Sequence, residues 1–169
     1  MHVNIINELK RLNIISWYAI LLALEKRWVT KKDIEDYSVY LLNSPDFYSD
    51  NVAVLANALS YSDDEVKDQI LQLCEEIQFD KNDETQKLKL AALCYLANSK
   101  YSEEEQCNIL QELYAEFDYP EDMQECSIYH NSKISPIEAM HLLIASLKKQ
   151  ILLHTKTPEE NKEQEDEKE

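Results

Sequence analysis

Residues 61–77 read YSDDEVKDQILQLCEEI and residues 101–117 read YSEEEQCNILQELYAEF. Each begins with a Tyr-Ser pair and a run of acids, and each has a glutamate three residues after the serine: Ser62 with Glu65, Ser102 with Glu105. That spacing is a capping box, in which the hydroxyl accepts from the third helical amide and the carboxylate returns to the amide of the cap. An apolar stripe follows each cap: Val66, Ile70, Leu73 and Ile77 in the first copy, Ile109, Leu110, Leu113 and Phe117 in the second. Their spacings of three and four predict a helix with one buried face. The copies lie forty residues apart, with Ile70, Leu73 and Ile77 falling on Leu110, Leu113 and Phe117. With one residue of slack the preceding helix aligns too, Leu55-Ala56-Asn57 on Leu96-Ala97-Asn98. Two antiparallel helices per forty residues is the period of HEAT-like or armadillo-like stacks. The expected fold is therefore all-α. It is either a short right-handed array of stacked antiparallel hairpins or, since amphipathic helices with acidic starts resemble one another anyway, an irregular bundle of about seven helices.

The rest of the chain supplies the other helices. Ser16 is an N-cap ahead of Ile20, Leu21 and Leu24, and Lys26 and Arg27 suit the negative end of that helix. Thr30 with Asp33 opens the next, whose Ile34, Tyr37, Leu41 and Leu42 recur at helical spacing until Pro45. Val52, Leu55, Ala56 and Leu59 mark a third, and Leu88, Ala91, Ala92, Tyr95 and Leu96 a helix beginning near Asn82. Pro120 closes the helix of the second copy, and residues 118–134, DYPEDMQECSIYHNSKI, form the longest irregular connection. Connections of that length are often functional. Ser135-Pro136 then starts a last helix with Ile137, Met140, Ile144, Leu147 and Ile151 inward. A single helical domain over 1–154 is expected, followed by an acidic disordered tail over 155–169, whose residues 159–169 contain no apolar side chain.

Composition excludes whole classes of chemistry. The 169 residues include no glycine, where ordinary usage would give about twelve. Phosphate-cradling loops, the dinucleotide fingerprint and the nucleophile elbow all need glycine, so none is present in its usual form. Helix ends must use other residues, and Asn43 and Asn98 are the expected C-terminal caps. A net charge of -16 argues against binding nucleic acid over a broad surface and for a basic partner. Cys74, Cys94, Cys107 and Cys126 form no CxxC pair and read as free thiols of a cytoplasmic protein. In residues 2–13 the basic side chains follow the apolar ones, the reverse of a signal peptide. The apolar run at 14–24 is about half the roughly 20 residues that cross a bilayer.

Several groupings suggest chemistry and give way to simpler readings. Glu138 and His141 share a helical face as in di-iron bundles, but no second ExxH exists, and a partly buried, hydrogen-bonded His141 is expected. Cys126 and His130, with His141 or Cys107, lack a diagnostic zinc spacing. A Cys/His nucleophilic pair has no third group to orient it. Asp63-Asp64-Glu65 and Glu103-Glu104-Glu105 stand in first helical turns, where the helix dipole favours negative charge. Lys26, Arg27, Lys31 and Lys32 complete a helix end and solvate a turn rather than form an anion site. Tyr48, Tyr119 and Tyr129 fall in loops beside acids, as interface anchors do.

Ser16-Trp17, the apolar helix behind them, Trp28, Thr30, Asp33 and Tyr37 resemble a bacterial family of small all-helical proteins labelled as a domain of unknown function. Some of its members lie beside polymorphic toxin genes and are proposed immunity proteins. The resemblance covers roughly residues 14–150. It implies a cytoplasmic, non-enzymatic binding protein without metal or cofactor, which neutralises a toxin domain through an acidic, tyrosine-bearing surface. The expected contact residues are Tyr48, Asp63, Asp64, Glu103, Glu104, Tyr119, Glu121, Asp122 and Tyr129. The alternative is a helical adaptor holding a peptide or subunit. The oligomeric state stays open.

Overall fold

The structure is a computed structural model that describes residues 5–75 and 77–155, without the side chains of 152–155. The expected tail, beyond Thr155, lies outside the described residues, as does Glu76. All regular elements among the described residues are helical: α1 (Ile5–Arg11), α2 (Trp17–Glu25), α3 (Lys31–Leu42), α4 (Asp50–Leu55), α5 (Asp63–Glu75), α6 (Lys81–Ala97), α7 (Glu103–Glu116) and α8 (Pro136–Thr155). Two 3-10 turns, at Ala58–Ser60 and Glu121–Cys126, complete the set. The seven helices read from the sequence are α2 to α8. The addition is α1, which buries Ile5, Ile6 and Leu9 against the common core.

The caps form where the sequence places them. Ser16, Thr30 and Ser102 accept from the third residue on, and Thr30–Asp33 and Ser102–Glu105 are complete capping boxes. Ser62 and Glu65 make the same reciprocal pair, at 2.8 and 3.2 Å. The serine amides hold both glutamates below the ordinary carboxylate value of 4.5. Helix α6 begins slightly before Asn82, because Asp80 accepts from the amides of Asn82 and Asp83.

Asn43 and Asn98 are the C-caps expected, with φ values of -77° and -91° that are not left-handed. The left-handed positions are Asn13, Arg27, Asp118 and Tyr119, with φ of 56°, 58°, 62° and 52°. The first three each sit in a Schellman motif. At Arg27 its own amide reaches Leu24 O at 3.0 Å, and that of Trp28 reaches Ala23 O at 2.8 Å. At Asp118 the corresponding bonds run to Ala115 and Tyr114, and the Tyr119 ring meets Tyr114 edge-on at 5.1 Å. Three glycine-type turns are thus made without glycine.

The hydrophobic core draws buried residues from every α-helix. Helix α6 is its axis, packing against α1, α2, α7 and α8, and burying Leu88 through Leu96 on nearly all sides. The two copies of the sequence motif do not stack as successive repeats: α5 packs on α2 and α4, whereas α7 packs on α6, α8 and the second 3-10 turn. The architecture is the irregular-bundle form of the expected all-α fold. Two stripe positions also depart. Helix α5 stops at Glu75, leaving Ile77 61% exposed. Leu59 is exposed and Ala58 buried, because the Leu59 amide donates to the Glu35 carboxylate of α3 at 3.2 Å instead of continuing α4.

Candidate functional site

A cleft of about 780 Å³ opens where α2, α3, the 77–80 connection, the start of α6 and the end of α8 converge. Its framework begins at Ser16, which accepts from the Ala19 amide at 3.1 Å and donates to the carboxylate of Glu84. Glu84 is 4% exposed and also holds Lys87 at 2.5 Å, so its charge is matched where it is desolvated. This arrangement fixes the first turn of α2 to the first turn of α6.

On that framework stand two aromatic pairs. Trp17 and Tyr37 meet at 5.4 Å between centroids, and Tyr18 stacks on Phe79 at 4.5 Å. Phe47, Phe79 and Ile77 line the same cleft and remain 36%, 37% and 61% exposed, an apolar surface without a covering group among the described residues. Burial pushes the Tyr37 phenol up to about 12 and the Cys74 thiol up to about 11. Both are therefore neutral lining groups at ordinary pH, not bases or nucleophiles. Asp80, Asp83 and Glu84 give one edge of the cleft its negative charge. The Gln86 side-chain oxygen is buried there with no hydrogen-bond donor among the described residues.

The residues expected from the sequence lie elsewhere. Tyr48 is 78% exposed and donates to Asp50 at 2.7 Å. Tyr129 is 90% exposed and Tyr119 63%. The last two flank the Glu121–Cys126 turn on α7 and α8, whereas Tyr48 belongs to the α3–α4 connection, so the three do not form one cluster of packed elements. Asp63 pairs with Lys31 at 3.3 Å, while Asp64, Glu103, Glu104 and Glu121 face solvent. Asp122 is engaged internally: both its oxygens accept from Lys89 at 2.8 Å, and Lys89 is 3% exposed. This pair fastens the Glu121–Cys126 turn to α6, with Met123 and Cys126 buried beneath.

Of the basic cluster the three lysines are likewise taken up, while Arg27 is exposed. Lys26 reaches the Glu116 carbonyl, Lys31 the Tyr61 carbonyl at 2.8 Å, and Lys32 the Asp36 carboxylate at 2.7 Å. His141 is exposed on the outer face of α8, a correction to the partly buried histidine expected from the ExxH spacing, because the helix turns its Met140 and Ile144 inward instead. Among the described residues no three His, Cys, Asp or Glu side chains gather as metal ligands. All four cysteines are free, and burial raises each thiol. No helix among the described residues is long and apolar enough to cross a membrane.

With this geometry in place, the comparison with known families is informative about kinship. A family model described as "Uncharacterized protein conserved in bacteria (DUF2247)" matches residues 6–164. The chain belongs to the DUF2247 family. The match begins inside α1 and runs past α8, so the DUF2247 unit is the whole bundle rather than one hairpin of it. No curated protein and no solved structure matches the chain. Ser16 as a cap, Tyr37 as a stripe residue and Trp17 as a mark of resemblance are all legible in the sequence, and the fold of this DUF2247 chain gathers all three at the cleft. Sequence reasoning missed Tyr18, Phe47, Phe79 and Gln86. Phe47 and Phe79 carried one usable signal, as aromatic residues just beyond helix ends with no stripe to join.

Proposed function

We propose that the protein is a non-enzymatic binding protein that neutralises a bacterial toxin by covering a basic surface on it. The observation that carries this reading is the disposition of charge. Against 33 Asp and Glu stand 17 Lys and Arg, and several of these are held by the chain's own carboxylates: Arg11 by Glu8, Lys31 by Asp63, Lys32 by Asp36, Lys87 by Glu84 and Lys89 by Asp122. The remaining acids, Asp64, Glu103, Glu104 and Glu121 among them, face solvent, so a net charge of -16 is expressed at the surface. Opposite charge on a partner accelerates encounter, and a few desolvated aromatic residues supply slow dissociation. A toxin that acts on nucleic acid has a basic substrate groove of the matching kind.

Co-expression tests the reading. Cells producing a toxin domain encoded beside this gene survive when the protein is present, and the two purify as a complex. Death of the cells despite soluble expression of the protein contradicts it.

A further inference from the structure

The cleft has three properties that together define an occupant. Its walls are aromatic, with the Trp17–Tyr37 and Tyr18–Phe79 pairs side by side through adjacent residues of α2. Its edge is anionic: among the described lining residues Lys87 is the only cation and is neutralised by Glu84, while Asp83 is half-buried with no ion-pair partner among the described residues. A volume of about 780 Å³ falls within the roughly 300–1,000 Å³ of sites that enclose a drug-sized molecule or a few side chains.

We infer that this cleft receives a segment of the protein partner in which a Lys or Arg adjoins an aromatic or large aliphatic residue. The cationic head pairs with Asp83 at the rim, and its neighbour packs on the aromatic pairs, where a guanidinium or ammonium also gains from the ring faces. Charge selects this occupant over two others. A second copy of this chain carries a net charge of -16, and residues 159–169 of the chain itself are mostly acidic, so both are repelled from an anionic rim. The inference rests on the protein-binding reading above and gives it a location. That location is distinct from the loop tyrosines 119 and 129.

The test uses the full chain and short amidated peptides followed by NMR. Phe-Arg-Phe-Arg is the probe, with Phe-Glu-Phe-Glu and Ser-Arg-Ser-Arg as controls. The probe is expected to shift the Trp17 indole and Phe79 ring resonances at concentrations at least tenfold below those needed for either control. Asp83→Lys weakens the probe at least tenfold. Asp83→Asn also weakens it while leaving thermal stability nearly unchanged, since it keeps the size of the side chain and removes only its charge, and this separates a lost site from a lost fold. Equal binding of the acidic control, shifts confined to residues 119–129, or indifference to Asp83→Lys overturns the inference. A concentration-dependent dimer, or removal of residues 156–169 changing the Trp17 resonance in the free protein, overturns it in favour of those occupants. In co-expression, toxin neutralisation by wild type that persists unchanged in Asp83→Lys and Phe79→Ala defeats the cleft and leaves the protein-binding function standing. Failure of wild type to neutralise defeats only the function, because the peptide result is read without any toxin.

Discussion

Arg27 carries much of what the absence of glycine means for this chain. It holds φ 58° at the C-terminus of α2, a conformation that costs a residue with a β-carbon about 1–2 kcal/mol relative to an ordinary one. Replacement by glycine removes that cost and adds about 0.5–1 kcal/mol of unfolded-chain entropy. Arg27→Gly is expected to stabilise the protein by about 0.5–1 kcal/mol, visible as a higher urea midpoint. At Asn98, where φ is -91°, the same change gains nothing and lowers the midpoint. Tyr37 makes a second statement at this scale. Its phenol titrates near 12 because the ring is buried, whereas an unfolded tyrosine titrates near 10. Protons are then held more tightly by the folded form, so the stability Tyr37 contributes is intact below pH 10 and is lost as pH rises towards 12. An alkaline absorbance titration of wild type minus Tyr37→Phe is expected to show the missing phenol ionising near pH 12; ionisation near 10 would place that ring in water. Lys89 and Asp122 give a third. Asp122→Ala leaves a buried ammonium unpaired and is expected to cost about 2–3 kcal/mol, while Lys89→Met, which removes the charge and keeps the volume, costs much less. Equal losses from the two would mean that the pair contributes by packing alone.

At the scale of elements, the two Tyr-Ser-acid motifs are helix-starting devices. Ser62→Ala and Ser102→Ala are each expected to lower stability by about 1 kcal/mol. The losses add, because α5 and α7 have different packing partners. Both glutamates of the boxes have lowered pKa values, chiefly through the serine amides. Their contribution is therefore present above 4.5 and disappears as pH falls through the lowered folded values, so the difference between wild type and the Glu65→Ala and Glu105→Ala variants narrows in acid. Denaturation curves at pH 7 and pH 3 check this. Seven of the eight α-helices were legible from caps and stripes, since a serine or threonine three residues before an acid and an apolar period of three or four are local signals. What the sequence left hidden was tertiary. The 2–13 segment reads as mixed because α1 is only seven residues long. Leu59 leaves its stripe for a carboxylate on another helix, and the motif's register could not show that α5 would choose α2 as its neighbour. The cleft was hidden for the same reason: Trp17, Tyr37 and Phe79 come from three separate segments, and only packing brings them together.

For the whole molecule, the fold is an all-helical bundle around α6 with acids nearly twice as numerous as Lys and Arg, several of the cations being paired within the chain. Association with a basic partner should then be fast and strongly weakened by salt, since screening shortens the reach of exposed charge to about 8 Å at physiological ionic strength. The association rate is expected to fall at least tenfold between 50 mM and 500 mM salt, with a much smaller change in dissociation. The most direct measurement is co-expression with a candidate toxin domain encoded near the gene, followed by purification of what forms. The account predicts surviving cells and a stoichiometric complex that stopped-flow mixing shows to assemble more slowly as salt rises. Cells that die while this protein accumulates in soluble form, with no complex recovered, would contradict it.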